Sequence, residues 1–175
     1  MKRAVVLLDF SRLNSGRFRL DPVACDLASL LRQVVDEFGA AAQHAAVTLT
    51  VTAPESVPGV WDRFAVEQVI DNLLSNAIKY GGRSPVELSL SVSEQKVLMQ
   101  IRDHGKGIAA EHRARVFQRF ERAVGHNDHG SGFGVGLWVV GQLIEAMRGT
   151  ITINDAPGGG VLFTVSLPNY AAEGQ

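Results

Sequence analysis

The stretch Val66-Glu67-Gln68-Val69-Ile70-Asp71-Asn72-Leu73-Leu74-Ser75-Asn76-Ala77-Ile78-Lys79-Tyr80 carries two patterns at once. At about 100° per residue, Val66, Val69, Ile70, Leu73, Leu74 and Ala77 fall on one broad face, as expected for a helix with one buried side. Asn72, Asn76, Lys79 and Tyr80 fall together on an adjoining arc of about 100°. Asparagine is a poor helix former, so propensity does not account for two of them one turn apart. An amide oxygen is a neutral, hard ligand that can hold Mg²⁺ beside phosphates without repelling them. A lysine on the same side offers positive charge to a terminal phosphate. A polar helix edge carrying two asparagines by chance gives the same pattern, so this stretch alone leaves both readings open.

Two further stretches bear on the choice. The apolar run Val97-Leu98-Met99-Gln100-Ile101 predicts a strand, and Asp103-His104-Gly105-Lys106-Gly107-Ile108 follows it directly. Two glycines let the backbone approach a flat ligand closely. A carboxylate at the strand end can accept a hydrogen bond from an exocyclic amine such as that of adenine. Guanine presents a carbonyl at that edge and leaves the carboxylate unpaired, at a cost of about 1–3 kcal/mol. A tight turn is the plainer reading. Gly105 to Ala110 also fits a dinucleotide fingerprint with its last glycine replaced by alanine. That reading fails because Phe117, Phe120 and a polar glycine-rich segment follow, not a crossover helix and a parallel strand. In the third stretch, Gly130-Ser131-Gly132-Phe133-Gly134-Val135-Gly136-Leu137 runs into a predicted helix over 134–147. Alternating glycines at a helix start expose backbone N–H groups that, with the helix dipole, suit an anion. The lysine-serine/threonine ending of a Walker loop is missing.

Asn-x-x-x-Asn on a helix, Asp-x-Gly-x-Gly after a strand and Gly-x-Gly-x-Gly before a helix resemble, in order, the boxes of the ATPase/kinase superfamily. That superfamily is shared by DNA gyrase, heat-shock chaperone ATPases, mismatch-repair ATPases and histidine kinases. Asn72 to Tyr80 resembles the N box of the sensor histidine kinases nearly residue for residue, and Phe117-Gln118-Arg119-Phe120-Glu121-Arg122 resembles their F box. Gly158 to Pro168 resembles the closing glycine turn and strand. Leu8 to Gly16 resembles the end of the second dimerisation helix. The resemblance spans almost the whole chain.

It implies that Asn76 coordinates Mg²⁺, Lys79 touches the phosphates of ATP and Tyr80 lies against the nucleotide. Asp103 would read adenine, with Gly105, Gly107 and Ile108 beside it. Ser131, Gly132, Phe133, Gly134, Val135, Gly136 and Leu137 would wrap the phosphates. Ala123 to Ser131 would form a lid over the nucleotide, with Phe117 and Phe120 at its base and Arg122 at the site. The ATP-hydrolysing and serine-kinase branches place a general-base glutamate one turn before the magnesium asparagine. Here that position is Asn72, which cannot accept a proton. Glu67 and Asp71 lie roughly 140–180° from Asn76 around the helix and do not replace it. Histidine is nucleophilic when neutral near pH 7, so transfer to it needs little base catalysis. Asn72 and Lys79 are therefore the residues assigned to catalysis, which here means positioning and charge neutralisation.

Outward from these stretches, the pattern predicts an α/β fold. Asp26 is placed to cap a helix with Leu27, Leu31, Val34 and Phe38 on one stripe. Leu49 and Val51 alternate with threonines as a half-buried strand. Val86 to Val92 and Lys96 to Arg102 form a hairpin. Thr150 to Asn154 and Val161 to Leu167 form two strands around Pro157-Gly158-Gly159-Gly160. The architecture expected is a two-layer α/β sandwich of the Bergerat type. It has a mixed, mostly antiparallel sheet of about five strands with about three helices on one face. Residues 1–22 are assigned to a dimerisation-helix remnant and linker, 23–170 to the ATP-binding domain and 171–175 to a tail.

With 175 residues, 46% hydrophobic and 20% charged, the chain has the composition of a globular domain that needs no disulfide. Its formal net charge of −1 argues against a nucleic-acid or anionic-membrane partner. Cys25 is a lone cysteine, read as a small core or boundary residue. The apolar start ends at Asp9, short of a secretory core, and no stretch reaches the ~18–20 apolar residues of a membrane span. The chain is expected to be soluble and cytoplasmic, from a parent that could be membrane-bound.

None of His44, His104, His112, His126 and His129 has the acidic neighbour of the family's phosphoacceptor. The partners implied are therefore a dimerisation/phosphoacceptor domain of the parent kinase and a downstream response regulator. Two alternatives are an anti-sigma-type serine kinase, opposed by Asn72, and a non-enzymatic nucleotide-binding module, opposed by the full set of boxes. His126, Asp128 and His129 are read as solvated lid residues, not as metal ligands.

Overall fold

Alternation in the strands and the 3.6-residue period in the helices meet in one core. The structure, a computed structural model, describes residues 19–118 and 136–169. Its elements are β1 (Val23–Asp26), α1 (Leu27–Glu37), α2 (Gly39–His44), β2 (Leu49–Thr52), β3 (Pro58–Trp61) and α3 (Arg63–Tyr80). They continue with β4 (Val86–Ser93), β5 (Lys96–Arg102), α4 (Ala110–Arg113), α5 (Gly136–Ala146), β6 (Thr150–Asp155) and β7 (Val161–Pro168). Five strands make the main sheet in the order β2-β4-β5-β7-β6. β2 runs parallel to β4, and the other pairs are antiparallel. This is the mixed, mostly antiparallel α/β sandwich expected.

One face of the sheet is apolar. Val86, Leu88 and Leu90 of β4, Val97, Met99 and Ile101 of β5, and Val161, Phe163, Val165 and Leu167 of β7 are all buried. The intervening positions (Glu87, Ser91, Gln100, Thr164, Ser166) lie on the other face, exposed or half-buried. The period of two alone sorts these residues. Helix α3 fills the centre of the helical layer, against α5, α1 and β5. Its predicted apolar face, Val66, Val69, Ile70, Leu73, Leu74 and Ala77, is buried throughout.

Two caps fix the helix starts. Asp26 Oδ1 accepts from the amides of Ala28 (2.9 Å), Ser29 (3.2 Å) and Val57 (2.9 Å), while Oδ2 accepts from Ser56 Oγ at 2.5 Å. The Ser56 hydroxyl and then the Val57 amide draw its pKa down from 3.8 to about 2, because each stabilises the ionised form. At α3, Asp62 Oδ1 accepts from the Ala65 amide at 2.9 Å and Oδ2 from the Asp21 amide at 2.8 Å.

The structure adds elements that the sequence pattern did not announce. β1 and β3 pair antiparallel as a separate two-stranded sheet. Neither alternates in burial, unlike the equally short β2, and Pro58-Gly59 at the start of β3 reads locally as a turn. Pro58 opens its strand, a position where a missing N–H is tolerated. Trp61 is buried and its Nε1 donates to the Pro168 carbonyl at 3.0 Å, which ties this small sheet to the end of β7. Cys25 is half-buried in β1, and burial pushes its thiol pKa up, consistent with an inert boundary residue. The short helices α2 and α4 are also additions, each under two turns. The dimerisation-helix end read over Leu8 to Gly16, the lid and the tail lie outside the described residues.

Candidate functional site

The C-terminal half of α3 brings its two asparagines and Lys79–Tyr80 to the helix edge the period predicts. Asn72 and Asn76 are half-buried, and Lys79 and Tyr80 are exposed. Nδ2 of Asn72 is buried and donates no hydrogen bond among the described residues. A buried amide donor without an acceptor costs about 1–3 kcal/mol. Its Oδ1 sits against the start of α5, where a Cβ on Gly136 would come within 3.2 Å of it. The tertiary fold thus joins Asn72 to the end of the glycine-rich stretch, more than sixty residues on. Leu137 is partly buried against the core behind this contact.

Asp103 follows β5 and is buried, 7% exposed. Its amide donates to the Val161 carbonyl at 3.0 Å. Its Oδ1 accepts from the Gly105 amide (3.0 Å) and the Val161 amide (3.2 Å). Oδ2 accepts from no group among the described residues. One oxygen therefore fixes the carboxylate, and the other is left for a donor from outside.

Gly105 packs on the end of α3: a Cβ there would lie 2.4 Å from the Tyr80 carbonyl oxygen. No side chain can be accommodated at that distance, so glycine is required by close approach of two backbones. Gly81 is buried beside the same contact, with Asp103 Cβ 3.0 Å from where its own Cβ would be. Gly81 was not singled out in the sequence, although a glycine just past a helix end is a signal that could have found it. Ile108 packs against the core, and its carbonyl accepts from Arg113 Nε at 3.2 Å. Arg113 also pairs with Asp155. On the outer face of the sheet, Glu87 lies 3.7 Å from Arg102 Nε and 3.5 Å from His104 Nε2.

Phe117, the first aromatic of Phe-x-x-Phe, meets Phe163 edge to face, with centroids 6.5 Å apart and planes at 81°. It also touches the face of α5 at Gly141. Phe120, Arg122, Ser131, Gly132, Phe133, Gly134 and Val135 lie outside the described residues. Among the described residues no three His, Cys, Asp or Glu side chains group to hold a metal. A divalent cation at this site would take Asn76 together with phosphate and water oxygens, a donor set typical of Mg²⁺.

Residues 61–171 match the family described as Histidine kinase-, DNA gyrase B-, and HSP90-like ATPase. The chain belongs to that family. It is similar to the sensor histidine kinase TmoS of Ectopseudomonas mendocina, 35% identical over 178 residues and 99% of this chain. It is likewise similar to the alginate biosynthesis sensor protein KinB of Pseudomonas aeruginosa, 32% identical over 93% of this chain. It spans only 18% and 27% of those two proteins. The crystal structure of full-length ShkA in complex with AMPPNP superposes with a TM-score of 0.84 and 27% identity. The match covers 95% of this chain and 35% of that one. Within the family the chain stands with the catalytic domains of sensor histidine kinases. No helix among the described residues is long and apolar enough to cross a membrane.

Proposed function

We propose that this domain binds Mg-ATP and presents its γ-phosphate to a histidine carried by a separate dimerisation/phosphoacceptor domain, for onward transfer to a response regulator. The observation that carries the nucleotide assignment is the half-used carboxylate of Asp103. Oδ1 is committed to two backbone amides, and Oδ2 is held in place with no donor among the described residues. An exocyclic amine completes it, and a carbonyl at the same edge does not. The AMPPNP named in the ShkA structure is an adenine nucleotide of the class this site suits.

Nδ2 of Asn72, without an acceptor among the described residues, has the right chemistry for a phosphate oxygen, and Lys79 stands one helical turn past Asn76 on the exposed edge. Asn76, Lys79, the backbone of Gly105 and Gly107, and the stretch from Ser131 to Leu137 form the remainder of the proposed site. Magnesium, when bound, supplies neutralisation of the charge on the transferring phosphoryl group. The chain's own residues orient the phosphate chain and provide no base, since Asn72 holds the position a carboxylate takes in the hydrolysing branches. A neutral imidazole needs none. A domain that uses ATP in this way works in the cytoplasm, where ATP is available.

Calorimetric titration with a non-hydrolysable ATP analogue and with GTP, each with and without Mg²⁺, tests the reading. Adenine-selective, magnesium-dependent binding is expected, and adding a phosphoacceptor domain with ATP should then yield phosphohistidine. A well-folded chain that binds both purines equally, or neither, overturns it.

A further inference from the structure

The turn between β6 and β7 is remote in sequence from Asp103 yet is built around it. Gly160 has φ +93°, and a Cβ there would lie 2.1 Å from the Asp103 carbonyl oxygen, 2.7 Å from its carbonyl carbon and 2.8 Å from His104 Cα. These neighbours are backbone atoms, so nothing flexible can move aside. The next residue, Val161, accepts from the Asp103 amide at its carbonyl and donates its own amide to Asp103 Oδ1. The Gly160 carbonyl oxygen lies 3.4 Å from the Cβ position of Gly107, on the far side of the same loop. Two arginines tie the turn down from outside: Arg102 donates to the Pro157 carbonyl, and Arg113 bridges Asp155 to the Ile108 carbonyl.

We infer that this glycine turn, through Gly160 with Arg102 and Arg113, is the positioning device that sets the Asp103 carboxylate for the base of the nucleotide. The inference rests on the reading of Asp103 given above and adds where its geometry comes from. The turn supplies a control of its own. Gly158 and Gly159 also have positive φ, +84° and +110°, but a Cβ at either meets nothing within 4 Å. Alanine at Gly158 or Gly160 therefore imposes the same kind of backbone strain, and only the one at Gly160 pushes on Asp103.

The test compares Gly158→Ala and Gly160→Ala in two measurements on the whole chain. The first needs no nucleotide: hydrogen exchange of the Gly105 and Val161 amides, the two donors to Asp103 Oδ1. Gly160→Ala should raise exchange at both at least about tenfold relative to Gly158→Ala. The second is calorimetric affinity for the ATP analogue. Gly160→Ala should weaken it about tenfold, Gly158→Ala less than about twofold, and Gly160→Ala combined with Asp103→Ala no further than Asp103→Ala alone. Arg102→Gln, which frees Pro157 without straining the backbone, should weaken it about two- to fivefold. It decides the matter if the Gly160 variant does not fold.

Equal exchange at the two amides in both alanine variants, or wild-type affinity in folded Gly160→Ala or Arg102→Gln, overturns the inference. If the wild-type chain binds no adenine nucleotide, the functional reading fails. The exchange measurement still decides whether the turn positions Asp103.

Discussion

Two carboxylates are buried among the described residues, Asp62 at the start of α3 and Asp103 at the end of β5, each 7% exposed. Asp62 uses both oxygens, taking the Ala65 amide on one and the Asp21 amide on the other. Among the described residues Asp103 uses one oxygen twice, for Gly105 and Val161, and the other not at all. A carboxylate oxygen that takes no donor from the described residues is open to one from outside the fold. Equal burial therefore conceals two roles. Asp62 has a donor for each oxygen within the protein, and Asp103 keeps one oxygen open among the described residues.

The largest effect expected is on ligand affinity. Asp103→Ala should weaken binding of the ATP analogue about 10- to 100-fold, by the cost of losing a hydrogen bond to a charged acceptor. Asp62→Ala should leave affinity within about twofold. Titration of both variants breaks the comparison if Asp62→Ala loses as much.

Next comes stability. Asp62→Asn sets an amide group against a backbone amide and should cost about 1–3 kcal/mol in denaturant unfolding.

Asp103→Asn sharpens the contrast, because its remaining oxygen can still serve Gly105 and Val161 while an NH₂ replaces the free oxygen. Stability should hold within about 1 kcal/mol, ATP affinity should fall about tenfold, and the preference for ATP over GTP should narrow. Unfolding of this variant in step with Asp62→Asn would erase the distinction between the two sites.

The smallest effect concerns a third carboxylate, the half-buried cap Asp26. The fold lowers its pKa from 3.8 to about 2, with Ser56 the leading cause, so the ionised form is the one the fold favours. Its contribution to stability is complete above about pH 4 and is lost as pH falls toward about 2. Ser56→Ala should move the carboxyl titration, followed by NMR, back toward the ordinary value. An unmoved titration would assign the shift to the backbone amides instead.

The main sheet and its helices were legible because their signals are periodic and long. The apolar face of α3 and the alternation in β4, β5 and β7 each repeat over several residues, and burial follows the repeat. The cap at Asp26 was legible because a carboxylate before an apolar stripe satisfies orphan amides. The β1–β3 sheet was not legible. Neither strand alternates, unlike the equally short β2, and their pairing joins Val23 to Trp61, a contact sequence cannot see. Asp103 itself was found from its local pattern, whereas the dependence of its geometry on Gly160 was hidden. A run of three glycines looks alike at each position, and only the packing separates Gly160 from its neighbours.

The sequence by itself determined the fold class and the chemistry available at the site. Periodicity chooses helix or strand, and residue types decide what can be bound. Tertiary structure decided which groups are already satisfied and which are left open. Whether an oxygen of Asp62 or Asp103 has a partner depends on residues 41 and 58 positions away. Hydrogen bonding is a matter of distance in space, and only the folded backbone sets that distance.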